Sequence, residues 1–360
     1  MYDTTILLLR IAHSISLSAT ADATVRREYN SLGEMLSHSD NFDGEVKVRP
    51  QGSFNLGTAI KPINGSDDDF DVDLVAIVPD KKTAKETKQS VGTVLERSTR
   101  YSEKLEPEKK RAWTIAYSNS HVDVVPAIEY KDSDILVTNK DKRNYYTYLA
   151  SSPFNFKKWF DDKSAGILQQ TNNLESAVLD ANVEQPEKFS ERTILQQIVQ
   201  LLKFHRNKMF VDRDSELKPI SMILTVLAGE AYQQESDLTV GLQNVANNLR
   251  KQIQTDSIGN HIFNPVDHSE DFADKWREHP KRERAFYEWL LKVEEDFGNL
   301  SGITLEEFNK KMEIIFGESR TNAAFEYLGE QRARQQKSDS VLNSINGTSK
   351  EVSKHTFWGD

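Results

Sequence analysis

Two aspartates two residues apart lie at the start of an apolar run in this 360-residue chain. Asp71 and Asp73 belong to the segment Phe70 to Val78, which is rich in valine and isoleucine and is therefore predicted to be a β-strand. Side chains alternate between the two faces of a strand, so both carboxylates project from the same face. Their charges repel each other unless a cation lies between them or one carboxylate takes up a proton.

A third carboxylate, Asp123, lies in the similar predicted strand His121 to Val125. If the two strands are neighbours, three carboxylates converge into an all-oxygen site suited to magnesium or manganese. The alternative is an exposed acidic strand face, since three further aspartates at 67–69 precede Asp71. Val72 and Leu74 give the strand an apolar opposite face that buries it, and paired acids beside a buried strand are costly without a metal.

A glycine-serine turn precedes the acidic strand. After a predicted strand from Val46 to Arg49 the chain turns at Gly52-Ser53, and the segment Ser53 to Ile60 can open a short helix. Free backbone N–H groups at a helix start bind phosphate, and glycine lets the phosphate approach the backbone closely. Gln51, Gly52 and Ser53 are therefore candidate phosphate-binding residues, although Ser53 could equally be an ordinary helix N-cap. A phosphate site beside a carboxylate metal site serves phosphoryl or nucleotidyl transfer.

The three segments, in this order, resemble a known superfamily. QGSFNLGT, FDVDLVAIV and HVDVVPAI are similar to the motifs of the DNA polymerase beta-like nucleotidyltransferases, and this variant looks closest to the cGAS/DncV-like nucleotidyltransferases. The resemblance covers residues 46–128 well and continues more weakly into the later helices. It implies that Asp71, Asp73 and Asp123 are the catalytic residues and hold Mg²⁺, with Mn²⁺ as a possible substitute.

The same resemblance implies two further nucleotide-binding residues. Lys203, in the segment Leu-Leu-Lys-Phe, matches a triphosphate-binding lysine, and Ser221 matches a serine that contacts the same phosphates. The plainer alternatives are a surface lysine and a helix N-terminal serine. In cyclic GMP-AMP synthase an aromatic residue follows that serine and stacks on a base, whereas Met222 follows it here, so another residue must supply the stacking. His121 and His205 are expected to be structural.

The surrounding pattern predicts an α/β (α+β) fold, with a polymerase beta-like core around a mixed, twisted sheet and a C-terminal helical lobe. Three domains are expected: N-terminal helices and core at 1–165, the helical lobe at 166–330, and a flexible polar tail with an aromatic end at 331–360. Thr83 is a predicted N-cap, and Pro153 is placed to start a helix. The predicted strands are 111–118, 121–128 and 134–138, and the predicted helices are 3–38, 83–98, 219–233, 238–254, 270–298 and 304–317, with another from about 190.

Composition limits the compartment and the partners. The chain has no cysteine, which excludes disulfides, thiolate catalysis and zinc-cysteine sites. No window approaches the roughly 20 apolar residues of a membrane span and no signal peptide is evident, so a cytoplasmic protein is expected. The net charge of −10 disfavours binding of long nucleic acid and favours nucleoside triphosphates as substrates. ATP is the expected triphosphate, and others are possible.

The predicted activity is metal-dependent joining of nucleoside triphosphates into a cyclic di- or trinucleotide second messenger with release of pyrophosphate. The cyclic product and a role in bacterial antiphage (CBASS) signalling are implied by the resemblance alone. Two alternatives stay open: nucleotidyl transfer to a protein, a tRNA end or a small molecule, and a non-catalytic nucleotide-binding module. The resemblance also implies an accessory protein that conjugates the C-terminal tail. The ending Gly359-Asp360 departs from the terminal glycine expected there, and docking of the tail on its own body is the alternative.

Overall fold

The computed structural model describes residues 2–63, 70–79, 82–130, 135–165 and 192–345. In this part of the chain an α/β core carries one mixed sheet, and a helical lobe packs beside it. The strands of the main sheet are β1 (Lys47–Gln51), β2 (Phe70–Ile77), β3 (Trp113–Ala116), β4 (Ser120–Glu129), β5 (Ile135–Lys140) and β6 (Tyr146–Ser151). The helices are α1 (Tyr2–Ile15), α2 (Ala19–Ser37), α3 (Gly52–Asn55), α4 (Ala84–Arg97), α5 (Pro153–Ser164), α6 (Ile194–Met209), α7 (Ser221–Ala231), α8 (Leu238–Asn248), α9 (Pro280–Phe297), α10 (Leu305–Phe316) and α11 (Glu318–Ile345).

The sheet has the order β1-β2-β4-β5-β6, with β3 paired to β4. The pair β2 and β4 is parallel, and the other pairs are antiparallel, so the predicted mixed sheet is confirmed. The antiparallel pairing of the two strands predicted at 111–118 and 121–128 is also confirmed. Strand β6 was not predicted, because its half-exposed residues show no clear alternation of polar and apolar side chains.

Strand β2 is buried on one face and changes character along the other. Val72, Leu74 and Ala76 join an apolar cluster with α2 and α4. On the opposite face Asp71 and Asp73 come first, and Val75 and Ile77 then enter a second apolar cluster with β4 and β5. Hydrophobic burial on both faces therefore holds the sheet in place. Asp71 and Asp73 lie at the beginning of β2, before Val75 and Ile77 on the same face.

The helical lobe has its own core, in which helix α1 takes part. Leu7, Leu8 and Ile11 of α1 are fully buried in one cluster with side chains of α6 to α10. Helix α6 begins with a capping box in which Thr193 and Gln196 bond to each other's backbone N–H groups. The helix predicted from about 190 is observed from Ile194.

Two predicted helices differ from the observed ones. The helix predicted at 3–38 is broken after Ile15, and Ser18 caps the second piece by accepting from the N–H of Ala21. The helix predicted at 270–298 begins only at Pro280. Its first ten residues instead contain the end of a small two-stranded sheet and a short 3-10 turn. The small strands are β7 (Gln254–Thr255), β8 (Asn260–His261), β9 (Phe263–Asn264) and β10 (Asp267–Asp271).

The C-terminal helix α11 (Glu318–Ile345) was not predicted from the sequence. The sequence predicts a disordered tail from residue 331, whereas α11 continues to Ile345. Residues 331–337 read Gln-Arg-Ala-Arg-Gln-Gln-Lys, all of them good helix formers, which favours a helix even without an apolar stripe. Residues 346–360, with the aromatic end of the predicted tail, lie outside the described residues.

In the described residues no single helix is long and apolar enough to cross a membrane. Helices α1 and α2 together have sufficient length and apolar composition, but the pair is bent by 45° at its junction.

Candidate active site

Strand register brings two of the predicted acids side by side. Asp73 of β2 lies directly opposite Asp123 of the parallel strand β4. On its other side Asp73 lies opposite Gln51, the last residue of β1. Asp71, two residues earlier on the same face, is paired with His121 and exposed. The sheet therefore places the acidic pair of β2 next to the third acid and next to the glycine-serine segment.

Asp73 is the electrostatic centre of this group. Burial and the charges of Asp123 and Asp71 together raise its pKa to about 7, against the opposing charge of Lys203. Burial and the two neighbouring carboxylates therefore favour the protonated form of Asp73. A bound cation would favour the ionised form, because it replaces repulsion between carboxylates by attraction to each of them.

Asp123 is oriented by its neighbours on the sheet. Thr114 lies opposite Asp123 on β3, and its buried hydroxyl donates a short hydrogen bond to Oδ1 of the carboxylate. The ammonium group of Lys109 lies 3.6 Å from the same oxygen. Neither Thr114 nor Lys109 was predicted from the sequence, although the register of two antiparallel strands joined by a short turn points to Thr114.

The three acids fit a hard divalent cation by donor type and by charge. Within the described residues no group of three or more His, Cys, Asp or Glu side chains is already arranged to hold a metal ion. The donor set nevertheless consists of carboxylate oxygens from adjacent strands, the kind that Mg²⁺ and Mn²⁺ prefer. Burial, and after it repulsion from Asp123 and Asp71, raises the pKa of Asp73, and such an ion would relieve the repulsion.

Gly52 allows the glycine-serine segment to pack closely against Asp73. Its φ of +66° is in the left-handed region, and a Cβ built at this position would lie 2.1 Å from Oδ2 of Asp73. No other residue fits there without moving the carboxylate. The segment therefore brings backbone N–H groups to the edge of the carboxylate group.

Helix α3 is shorter than the predicted helix at 53–60. It runs only from Gly52 to Asn55, with Gln51 at the N-cap position, so Ser53 lies in the first turn and is not the N-cap. The N–H of Thr58 bonds back to the carbonyl of Ser53 and closes the turn. The short helix fits the limited space between the end of β1 and the helical lobe.

One face of α6 holds the chain that follows α3. Gln196, Gln200 and Lys203 recur at helical spacing and each donates from its side chain to a backbone carbonyl. The accepting carbonyls belong to Leu56 at 3.0 Å, Ala59 at 2.8 Å and Thr58 at 2.8 Å, respectively. The helical lobe thereby fixes the position of the glycine-serine segment.

Lys203 is buried between the segment that follows α3 and the carboxylate of Asp73. Burial and the charge of Arg206 together lower its pKa to about 7, against the opposing charge of Asp73. Its side chain is thus not that of a surface lysine, which was the plainer alternative. A buried ammonium group with a carbonyl and a carboxylate nearby is well suited to accept an anionic partner.

Ser221 is the first residue of α7 and is linked to α6 through Arg206. One guanidinium nitrogen of Arg206 donates to the carbonyl of Pro219 at 2.8 Å and to Oγ of Ser221 at 3.1 Å. Burial lowers the pKa of Arg206 to about 10, and burial and Arg206 lower the pKa of Lys218. Three cationic groups, Lys203, Arg206 and Lys218, therefore share one region beside Ser221. The sequence analysis missed Arg206, although it lies three residues after Lys203 on the same helix.

Two cavities meet at the candidate site. The smaller, of about 230 Å³, is lined by Gly52, Asp73 and Met222 together with residues of the β9–β10 pair. The larger, of about 960 Å³, is lined by Arg206, Lys218 and Ser221. Ser151, Glu270 and Phe272 line both cavities. Asp73, Arg206 and Lys218 therefore face one cleft between the sheet and the helical lobe.

Known proteins resemble this chain in sequence and in fold. The family described as the Second Messenger Oligonucleotide or Dinucleotide Synthetase domain matches residues 5–164. A c-di-GMP synthase of Roseivirga ehrenbergii is 29% identical over 325 residues, which cover 86% of this chain and 83% of the relative. Both matches agree with the resemblance to the cGAS/DncV-like nucleotidyltransferases.

Solved structures of CD-NTases, as this family is abbreviated, share the fold. The Bradyrhizobium diazoefficiens CD-NTase CdnG, solved with GTP, has a TM-score of 0.69 at 20% identity, and the match covers 90% of this chain and 97% of CdnG. The complex of Escherichia coli CdnC with a HORMA protein matches with a TM-score of 0.58 at 14% identity over 87% of this chain and 96% of that one. The predicted polymerase beta-like nucleotidyltransferase fold is confirmed.

Proposed function

We propose that this CD-NTase joins nucleoside triphosphates, GTP among them, into a cyclic oligonucleotide second messenger and releases pyrophosphate. The observation that carries the proposal is the register of Asp73 against Asp123, with Gly52 packed on the same carboxylate. This arrangement combines a metal-binding donor set with a backbone segment suited to phosphate. The relative named c-di-GMP synthase supports GTP beside the ATP expected from the sequence.

In the reaction a ribose hydroxyl of one nucleotide attacks the α-phosphorus of another. A new P–O bond forms, the bond between the α-phosphorus and the bridging oxygen breaks, and pyrophosphate leaves. A second transfer of the same kind closes the ring. Asp71, Asp73 and Asp123 would hold the metal ions, which, when bound, lower the pKa of the attacking hydroxyl and neutralise charge on the phosphates.

The residues around the acids have separate tasks in this proposal. Thr114 orients the carboxylate of Asp123, which faces the attacking hydroxyl and takes up its proton. Backbone groups at Gln51, Gly52 and Ser53 bind the triphosphate of the donor nucleotide. This assignment rests on the position of Gly52 against Asp73.

The cationic region receives the leaving phosphates. Lys203 and Arg206 are buried and lie beside Ser221, whose hydroxyl already accepts from Arg206. A polyphosphate would compensate the burial of these charges, because it supplies the anionic partner that buried cations require. We assign triphosphate binding to Lys203 and Ser221 as the sequence suggests, and we add Arg206.

The biological setting follows from the kind of reaction. A cyclic oligonucleotide is a signal and not an intermediate of metabolism, so we propose a role in CBASS antiphage signalling with a downstream effector that binds the product. Its triphosphate substrates occur in the cytoplasm, where we place the enzyme. An accessory protein that acts on the C-terminal tail remains part of the proposal, and removal of residues 346–360 should abolish that interaction without loss of synthesis.

Product analysis tests the function. The full chain is incubated with all four nucleoside triphosphates and Mg²⁺, treated with phosphatase, and analysed by chromatography and mass spectrometry. We expect a phosphatase-resistant cyclic oligonucleotide, and none from the variant with both Asp71→Asn and Asp73→Asn. Labelling of a protein, tRNA or small molecule without free oligonucleotide would contradict the proposal, as would synthesis by the double variant.

A further inference from the structure

The cleft has one wall that the catalytic chemistry does not use. This wall is formed by Asn264 of β9, by Glu270 of β10 and by Phe272 just after it; we call these three residues the β9–β10 wall. All three line the smaller cavity together with Gly52 and Asp73. A nucleotide with its phosphates at Gly52 therefore has its sugar and base within reach of this wall.

Phe272 supplies an apolar surface in that cavity. It is partly exposed, packs against the core of the helical lobe, and lines both cavities. Its backbone N–H donates to the carbonyl of Ile262 at 2.9 Å, which fixes the segment that carries the ring. Proteins that hold single bases stack them on such aromatic side chains, and stacking is indifferent to base identity because every base has a π-face.

Glu270 supplies a hydrogen-bond acceptor that can distinguish one base from another, which stacking cannot do. It is a partly exposed carboxylate whose Oε2 accepts a hydrogen bond of 2.8 Å from the side-chain amide of Asn264. Asn264 is itself buried, and its Oδ1 accepts from the N–H of Val266 at 3.1 Å, so its amide group is fixed in orientation. The carboxylate keeps acceptor capacity on both oxygens and has no hydrogen to donate.

A carboxylate distinguishes guanine from adenine by hydrogen-bond type. The Watson–Crick edge of guanine presents two neighbouring donors, N1–H and the 2-amino group, and a carboxylate can accept from both. Adenine presents one donor, the 6-amino group, beside the acceptor N1, which repels a carboxylate oxygen. Enzymes reject a base analogue strongly when it leaves a buried polar group without a partner.

We propose that the β9–β10 wall selects guanine, with Glu270 accepting from the guanine edge and Phe272 stacking on the ring. This inference rests on the proposed function, because it assigns base selectivity to the same site. It also supplies the aromatic residue that Met222 cannot provide after Ser221. A purine triphosphate with guanine is thus the preferred occupant of the smaller cavity.

Equilibrium binding of non-hydrolysable GTP and ATP analogues with Mg²⁺ tests the proposal, and three variants of the full chain are compared with the wild type. Glu270→Gln replaces one acceptor by a donor and so matches the adenine edge. Glu278→Gln makes the same change at an exposed residue that lines neither cavity. Phe272→Leu removes the aromatic ring.

We expect the wild type to prefer the GTP analogue, and Glu270→Gln to reduce that preference roughly ten- to a hundredfold, while Glu278→Gln changes nothing. Phe272→Leu should weaken both analogues by similar factors. An unchanged preference in Glu270→Gln, or a wild-type preference for ATP, overturns the inference and leaves the synthase proposal standing if the wild type still makes product. Absence of binding by any triphosphate overturns both. Equal midpoints of thermal unfolding establish that the variants are folded.

Discussion

A Cβ on residue 52 would lie 2.1 Å from the carboxylate oxygen Oδ2 of Asp73, so glycine is the residue that lets the glycine-serine turn and strand β2 touch. The same glycine has a φ of +66°. Two requirements therefore meet at Gly52: a left-handed backbone and an absent side chain. The second requirement is specific to the active site, and it separates Gly52 from an ordinary turn glycine.

We expect Gly52→Ala to lower turnover at least about a hundredfold, because the methyl group displaces Asp73 by an ångström or more. The matched control is Gly317→Ala. Gly317 has a φ of +90° but no atom within 4 Å of its missing Cβ. Both variants should lose about 1–2 kcal/mol of stability from backbone strain, and only Gly52→Ala should lose activity. Equal activities of the two variants would contradict the contact between Gly52 and Asp73.

Thr114 is expected to act through Asp123. Thr114→Val removes the hydroxyl that donates to the carboxylate, and a hydrogen bond to a charged group contributes about 1.5–3 kcal/mol. Turnover should fall roughly ten- to a hundredfold, and more Mg²⁺ should be needed for half-maximal rate. Thr138→Val is the control, since the buried hydroxyl of Thr138 has no hydrogen-bond partner in the described residues. An unchanged Mg²⁺ dependence in Thr114→Val would show that Thr114 is only a packing residue.

Arg206 should bind the triphosphate. Arg206→Met removes a buried charge that bonds to Ser221 and to the carbonyl of Pro219, so we expect KM for the triphosphate to rise about tenfold or more. Arg206→Lys should restore part of the affinity, because the charge returns without the planar fork. Arg213→Met, at an exposed ion pair with Glu288, is the control and should leave KM unchanged. Steady-state rates at varied triphosphate concentration separate KM from kcat, and a purely structural role would leave the lysine variant no better than methionine.

The small sheet that carries the β9–β10 wall should be stabilised by a charged histidine. His261 lies 2.8 Å from Asp271 and 3.0 Å from Asp256, and these hydrogen bonds raise its pKa above 6.5 against the opposing effect of burial. The protonated form is therefore favoured in the folded state. Its contribution is complete below the unfolded pKa of about 6.5 and is lost as pH rises through the higher folded pKa.

The free energy of unfolding of the wild type and of His261→Gln, measured by urea denaturation from about pH 5 to 9, tests this pairing. We expect the wild type to be the more stable at low pH and the difference to shrink as pH rises. A difference that grows with pH would mean that His261 is buried in its neutral form.

Strands β2 and β4 could be predicted because hydrophobic alternation along the sequence determines them directly. On β2 the alternation of Val72 and Leu74 with Asp71 and Asp73 gives the strand, its buried face and the shared face of the acids together. The proximity of Asp123 to Asp73 could be predicted on the single assumption that β2 and β4 are neighbours. Their parallel register then places Asp123 opposite Asp73 without any further assumption.

The β9–β10 wall could not be predicted in the same way. Strands β8 and β9 have two residues each, too few for any periodicity. The segment is held instead by aspartate side chains that bond to nearby backbone N–H groups, as Asp271 does to Ile262 and Ala273. Such contacts depend on the tertiary position of each residue. The helix predicted over 270–298 was wrong at its start for this reason.

Arg206 could not be assigned to the site from the sequence, although its helical spacing from Lys203 was visible there. Lys203 and Arg206 lie three residues apart on α6, a spacing that puts both on one side of a helix. Basic residues near a helix C-terminus commonly interact with the last carbonyls and solvent. Only burial of the guanidinium group and its bond to Ser221 place Arg206 at the site.

The central claim is that Asp71, Asp73 and Asp123 hold divalent cations beside the glycine-serine segment. Crystals of the full chain grown with Mn²⁺ and a non-hydrolysable GTP analogue test it most directly, because manganese is located by its anomalous scattering. We predict an anomalous peak within about 2.0–2.2 Å of carboxylate oxygens of these acids, with the triphosphate against Gly52 and Ser53. Manganese bound elsewhere, with the three carboxylates turned away from the nucleotide, would contradict the account.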